Sequence, residues 1–139
     1  MANPGPASVT SSHPSNLGTN QALRLLAVYQ GLNLNATGDT VLPVLNSSSY
    51  SVKNVVVTNA SISLTSAAAG LFTAPSAGGT GIVANAALSA CTSPTVVSER
   101  TVASTAVQTG QNLYFNVGTA QGAAATGDVY VYGYDLTAQ

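Results

Sequence analysis

No stretch of this chain sustains a helical period. From Ala22 onward apolar residues come in short runs, often alternating with hydroxyls, and each run is soon cut by Gly, Asn, Pro or Asp. Eight or so short strands at this spacing predict an all-β fold, an antiparallel β-sandwich of jelly-roll-like type. No internal repeat is evident, which argues against solenoids and propellers. A length of 139 residues suits one domain, expected over residues 21–139. Residues 1–20 differ: Pro4, Pro6 and Pro14 fall among Gly, Ser, Thr and Asn without apolar periodicity, and read as an extended N-terminal arm.

Individual strands can be placed along the sequence. Leu23–Tyr29 could make a short helix capped by Thr19 or Asn20, but its β-branched, Asn- and Gly-rich continuation favours a strand. After a turn at Ala36–Asp39, Thr40–Leu45 contains Pro43 and belongs at an edge or a bulge. Tyr50–Thr58 carries Tyr50, Val52 and Val56 on one face and Val55 and Val57 on the other, so it should be central. Ser61–Thr65 alternates Ile62 and Leu64 with hydroxyls, and Leu71–Thr73 follows Ala67–Gly70. A glycine turn over Ser76–Gly81 leads to Ile82–Ala84, with a helical turn or loop over Ala84–Ala90. Short strands are expected around Thr95–Val97 and Val102–Val107. Leu113, Phe115 and Val117 should face the core. In the last strand, Asp128–Leu136, Val129 and Val131 oppose Tyr130, Tyr132 and Tyr134.

Charge content narrows the function. Only 5% of residues are charged, against roughly 25% in an average soluble domain. Without a basic field there is little drive to bind nucleic acid or an anionic membrane, and neither is expected as a partner. No apolar run approaches the roughly 18 residues of a membrane span. Met1-Ala2-Asn3-Pro4 shows no signal-peptide pattern, so synthesis in a cytoplasm is expected. Cys91, the sole cysteine, reads as a small buried apolar residue.

Candidate chemistry is sparse. His13, the one histidine, sits beside Pro14 in the arm, where no third group would orient it as a base. One His and one Cys fall short of a zinc ligand set, so no metal, cofactor or catalytic residue is assigned and the chain does not read as an enzyme. Asp39 and Asp128 look like turn residues, Asp135 ends a strand, and Glu99-Arg100 reads as a solvated bend. Gly79-Thr80-Gly81-Ile82-Val83-Ala84 matches a dinucleotide-binding pattern, but Pro75 and Pro94 leave no room for the crossover helix it requires. The tyrosines at 130, 132 and 134 make a stripe that could stack on sugars or pack at an interface.

Certain segments resemble a recurrent block in small structural proteins of tailed bacteriophages. These are Val57–Thr65 with Ala68–Thr73, Gly78–Val83, and Leu113-Tyr114 with Thr119–Gly133; the resemblance spans roughly residues 20–136. It implies a capsid decoration, or cement, protein that binds the major capsid protein and resides on the virion surface. Gly127 and Tyr134 stand where that group often has an acid or a bulkier residue, so its contact details are not carried over. The scarcity of lysine to guard sheet edges suggests a homo-oligomer, a trimer first and a dimer second. The expected subunit or capsid interface comprises Pro4, Pro6, His13, Pro14 and Leu17 of the arm with Tyr130, Tyr132 and Tyr134. A tail or fibre component, or a carbohydrate-binding module, is the alternative.

Overall fold

The computed structural model describes residues 23–137. The expected arm residues Pro4, Pro6, His13, Pro14 and Leu17 lie outside them. Eight strands follow in chain order: β1 (Arg24–Asn33), β2 (Gly38–Pro43), β3 (Tyr50–Thr58), β4 (Ala68–Ala74), β5 (Gly78–Ala87), β6 (Ser98–Arg100), β7 (Asn112–Thr119) and β8 (Thr126–Asp135). They form two four-stranded antiparallel sheets, ordered β1-β8-β3-β6 and β2-β7-β4-β5. Apart from β4 and β5, each strand hands the chain to the opposite sheet. This is the double Greek-key arrangement of a jelly roll, so the expected sandwich is what the chain forms.

The core lies between the sheets and follows strand alternation. Leu113, Phe115 and Val117 of β7 face Val129 and Val131 of β8 across it, all at most 2% exposed. Tyr50 is also fully buried, which its phenol tolerates because Oη donates to the carbonyl of Gly110 at 2.6 Å. Burial pushes the Tyr50 hydroxyl above its ordinary pKa.

β3 is central, as its sequence suggests, but its faces differ from the simple alternation. The register slips between Val52 and Asn54, a bulge that leaves Lys53 exposed. One extra residue reverses the parity of everything after it. Tyr50, Val52, Val55 and Val57 therefore all enter the core, and Val56 turns outward. β2 is an edge strand, consistent with Pro43.

Six local expectations need correction. Ser61–Thr65 is not a strand. The buried Gln121 side chain accepts from the amides of Ser66 and Ala67, each at 3.1 Å, and donates to Ser63 O and Thr65 Oγ1. With Ser61 N bonded to Thr126 O and Leu64 N to Cys91 O, these scattered bonds stand in for a ladder, leaving Leu64 buried and Ile62 exposed. Ala84–Ala87 is neither helix nor loop but the end of β5. The glycine turn is also shorter than expected, since Gly78–Gly81 already belongs to β5. Glu99-Arg100 is no bend; it forms β6, whereas Thr95–Val97 and Val102–Val107 contain no strand. The latter segment is pinned at single points, including Ala103 N to Ile82 O at 2.7 Å.

Those pins matter for the sheet edges. On one open side of the sandwich, Arg100 donates to the carbonyls of Ala86 (3.2 Å) and Ala87 (3.0 Å) on β5. On the other, Leu45 N donates to Leu26 O of β1 at 2.7 Å. The expectation of unguarded edges therefore fails: chain crossings, bulges in β1 and Pro43 in β2 interrupt them where lysines do not.

Candidate functional site

With the edges stitched, the broad surfaces left are the outer faces of the two sheets. On the first sheet, β8 runs between β1 and β3 and sends Tyr130, Tyr132 and Tyr134 outward, because Val129 and Val131 of the same strand enter the core. Their cross-strand neighbours complete three rows. Tyr130 lies between Val28 and Val56, Tyr132 between Leu25 and Asn54, and Tyr134 beside Ser51. Gln30 Nε2 donates to Tyr130 Oη at 2.9 Å. Tyr130 and Tyr132 are half-buried, whereas Tyr134 is 36% exposed; Leu23, just before β1, is also exposed. Glu99 and Lys53 are the charges bordering this strip.

Gly133, between two of these tyrosines, shows how tightly the strip is backed. A Cβ there would collide with the carbonyl of Ser51 and lie 2.7 Å from Leu26 Cδ1. Only glycine lets β8 sit this close to β3 while Leu26 fills the core beneath.

The outer face of the second sheet has its own apolar row: Val41, Tyr114, Phe72 and Gly81 are register partners across all four strands. Phe72 is nevertheless only 9% exposed. Its ring lies over two glycines, with Cε2 at 2.9 Å from the position a Cβ would take at Gly70 and Cε1 at 3.4 Å from that at Gly81. An aromatic laid over glycines of its own sheet stabilises that sheet itself.

Three of the four carboxylates serve as structural acceptors. Asp39 accepts from Ser76 N at 2.7 Å and Asn116 Nδ2 at 2.8 Å, tying β2 to the β4–β5 turn. It does not hold its own turn, as its sequence context suggested. At that turn Ser76 and Ala77 both have positive φ, 58° and 56°, in the manner of a type I′ turn. Asp128 accepts from Gly31 N at 2.8 Å and Asn59 Nδ2 at 3.2 Å. Asp135, 3% exposed, accepts from Ser47 Oγ at 2.8 Å, Thr137 N at 3.0 Å and Arg24 Nη1 at 3.4 Å. Burial alone would raise its pKa. Hydrogen bonds from Thr137 and Ser47, with the charge of Arg24, outweigh this and hold the carboxyl below its ordinary value. Among the described residues, no three His, Cys, Asp or Glu side chains are placed to hold a metal ion.

Cys91 is fully buried and its thiol points to the Val57 carbonyl at 3.8 Å. Burial pushes the thiol pKa up, against smaller opposing effects of Ser98 and Arg100. Near it on the sandwich side, a cleft of about 190 Å³ opens between β5 and β6, lined by Val83, Glu99, Arg100 and Ala103 among others. Its guanidinium is already engaged by the β5 carbonyls. The dinucleotide-like glycines lie in β5, an antiparallel strand with no helix after it.

Comparison of the chain with protein-family models, curated proteins and solved structures gives no match. The structure brings Tyr130, Tyr132 and Tyr134 together on one face. Gln30, Leu25 and Asn54 join them only through strand pairing, and nothing in their sequence neighbourhoods signals that. Gln121 and Arg100 were equally silent: a lone amide in an Ala/Gly stretch and an arginine beside a glutamate are ordinary surface patterns.

Proposed function

We propose that this chain is a structural protein of a bacteriophage virion, a head decoration protein that binds the outside of the major capsid protein shell and stabilises it. The observation that carries the reading is the combination of a jelly roll with interrupted sheet edges and sheet faces almost without charge. Such faces lose little on desolvation and suit burial in an assembly. The resemblance of its segments to small phage structural proteins supports the same reading. Association would proceed through sheet faces as a homo-oligomer, with a trimer ahead of a dimer. Strand addition to a neighbour's sheet is disfavoured by the interrupted edges.

Cryo-electron microscopy of the purified particle is the direct test. Density for this sandwich on the outer shell is expected, and its presence only on the tail would overturn the assignment. Attachment by shape and apolar burial should also survive moderate salt, because screening weakens charge pairs but hardly affects apolar contact. A second reading, a carbohydrate-binding or tail-fibre module, is favoured by one observation: Tyr130, Tyr132 and Tyr134 stand partly open beside Gln30 and Asn54. Glycan binding that disappears with Tyr132→Ala would select it.

A further inference from the structure

We propose that the cleft between β5 and β6 is a binding site for a short aliphatic carboxylate, its charge held by Arg100 and its tail by Val83, Ala84, Ala86 and Ala103. The proposal stands whether or not the protein binds a shell. Its first support is a charge without a counter-ion. The bonds from Arg100 to Ala86 O and Ala87 O both use Nη2, so Nε and Nη1 have no acceptor among the described residues. No partnerless side-chain nitrogen is buried among those residues, which leaves these donors accessible to a ligand. Glu99 also lines the cleft but forms no ion pair with Arg100; the one ion pair among the described residues is Arg24–Asp135. Glu99 partners Val56 in register, and successive strand residues point to opposite faces, so its side chain diverges from that of Arg100. Burial lowers the Arg100 pKa, with a smaller opposing effect of Cys91 and none from a carboxylate. The guanidinium still keeps its charge at neutral pH, and a half-buried cation of this kind favours an anion beside it.

The second support is an apolar seat next to that charge. Ala69 pairs with Ala86 and Leu71 with Val83, so Ala84 and Asn85 together face Gly70. Such a bulge bends its strand, and the cleft lies along the bend. Both ends of the cleft are tied. Ala103 N donates to Ile82 O at 2.7 Å, and Arg100 holds the Ala86 and Ala87 carbonyls. The walls are therefore set before a ligand arrives, and little ordering entropy is lost on binding. Thr101 adds a hydroxyl that has no partner among the described residues.

Size and charge narrow the ligand. The cleft holds about 190 Å³. Drug-sized ligands occupy roughly 300–1,000 Å³, whereas an apolar cavity of about 150 Å³ already takes a benzene-sized molecule. A short acid such as butyrate fits that range. One carboxylate matches one guanidinium; phosphate would bring surplus charge close to Glu99 and has no tail for the apolar walls.

The test titrates the full, nitrogen-15-labelled chain with sodium butyrate, butyramide and inorganic phosphate at matched ionic strength. Butyrate should give saturable shifts at the amides of Ala84, Thr101 and Ala103, with Val41 and Tyr132 unmoved. Butyramide, which keeps the shape without the charge, should bind at least about ten-fold more weakly, the loss expected for a charge-assisted hydrogen bond. Arg100→Gln should weaken butyrate by a similar factor. Because that change also touches the β5 bonds, Ala103→Leu is the second variant: it fills the tail seat, keeps Arg100, and should abolish the butyrate shifts while the rest of the spectrum stays in place. A capped Ala-Glu-Ala peptide that binds as tightly as butyrate would identify the carboxylate as an acidic side chain of a partner protein; a peptide that fails where butyrate binds would identify a free acid. No saturable shift, an equal response to butyramide, tighter binding of phosphate, or undiminished binding in Ala103→Leu would overturn the proposal.

Discussion

The two outer faces of this sandwich use aromatic residues in opposite ways. On the β2-β7-β4-β5 sheet, Phe72 lies flat over Gly70 and Gly81 and is nearly buried by its own strands. On the β1-β8-β3-β6 sheet, three tyrosines stand in file and their strand neighbours cover them only in part. The first face covers its central phenylalanine, although Val41 at its edge stays exposed; the second leaves all three of its tyrosine rings partly open. An aromatic on a sheet surface therefore indicates a partner only when its neighbours fail to bury it.

The sharpest challenge to this contrast is to delete one ring from each face. Phe72→Ala should destabilise by about 3 kcal/mol, toward the range for truncating a buried aromatic, measured by urea denaturation. Tyr132→Ala, removing a half-buried ring, should cost about 1 kcal/mol or less. Equal losses would abolish the distinction between a covered and an open ring.

The next effect concerns the knot at the end of the strip. Asp135→Asn removes the charge that Arg24 and its hydrogen-bond donors face, and should cost about 1–3 kcal/mol near neutral pH. Because the folded Asp135 pKa lies below its unfolded value, its contribution is fully present above the unfolded pKa of about 4 and is lost as pH falls through the folded one. Thermal melts between neutral and strongly acidic pH should therefore show an acid-side fall in Tm that is reduced in Asp135→Asn. An unchanged acid limb would mean this carboxylate does not link the strip's end to folding.

A smaller effect tests the second sheet's turn. Ala77 adopts positive φ, where its Cβ is strained, and Ala77→Gly should stabilise by about 1 kcal/mol in the same denaturation assay. Asp39→Ala should cost a comparable amount by releasing Ser76 N and Asn116. The smallest change is expected from salt. With one ion pair, Arg24–Asp135, among the described residues, Tm should shift little between low and moderate ionic strength.

Alternation and turn chemistry made much of this fold legible. Leu113-Tyr114-Phe115-Asn116-Val117 and Val129-Tyr130-Val131-Tyr132 each state which face is inside, and both do so without help from the rest of the chain. Pro43 likewise marks an edge by lacking an amide hydrogen. What stayed hidden were the features set by partners distant in sequence. The bulge at Lys53 exists because β3 must register against β8, and it sends Val55 inward where strict alternation sends it out. Ser61–Thr65 has the pattern of a strand, yet its hydrogen bonds are scattered over Gln121, Cys91 and Thr126 instead of running along one neighbouring strand. Glu99-Arg100 has the pattern of a bend but completes a sheet.

The candidate site divides the same way. The sequence determined by itself that Tyr130, Tyr132 and Tyr134 share a face, since side-chain direction in a strand repeats every two residues. Only the tertiary structure decided that this face lies at the centre of a sheet, on a strand flanked by β1 and β3. It also decided that Phe72, equally aromatic, is already covered. Those outcomes depend on which strands pair and how closely glycines let them approach, and neither is encoded within a single strand.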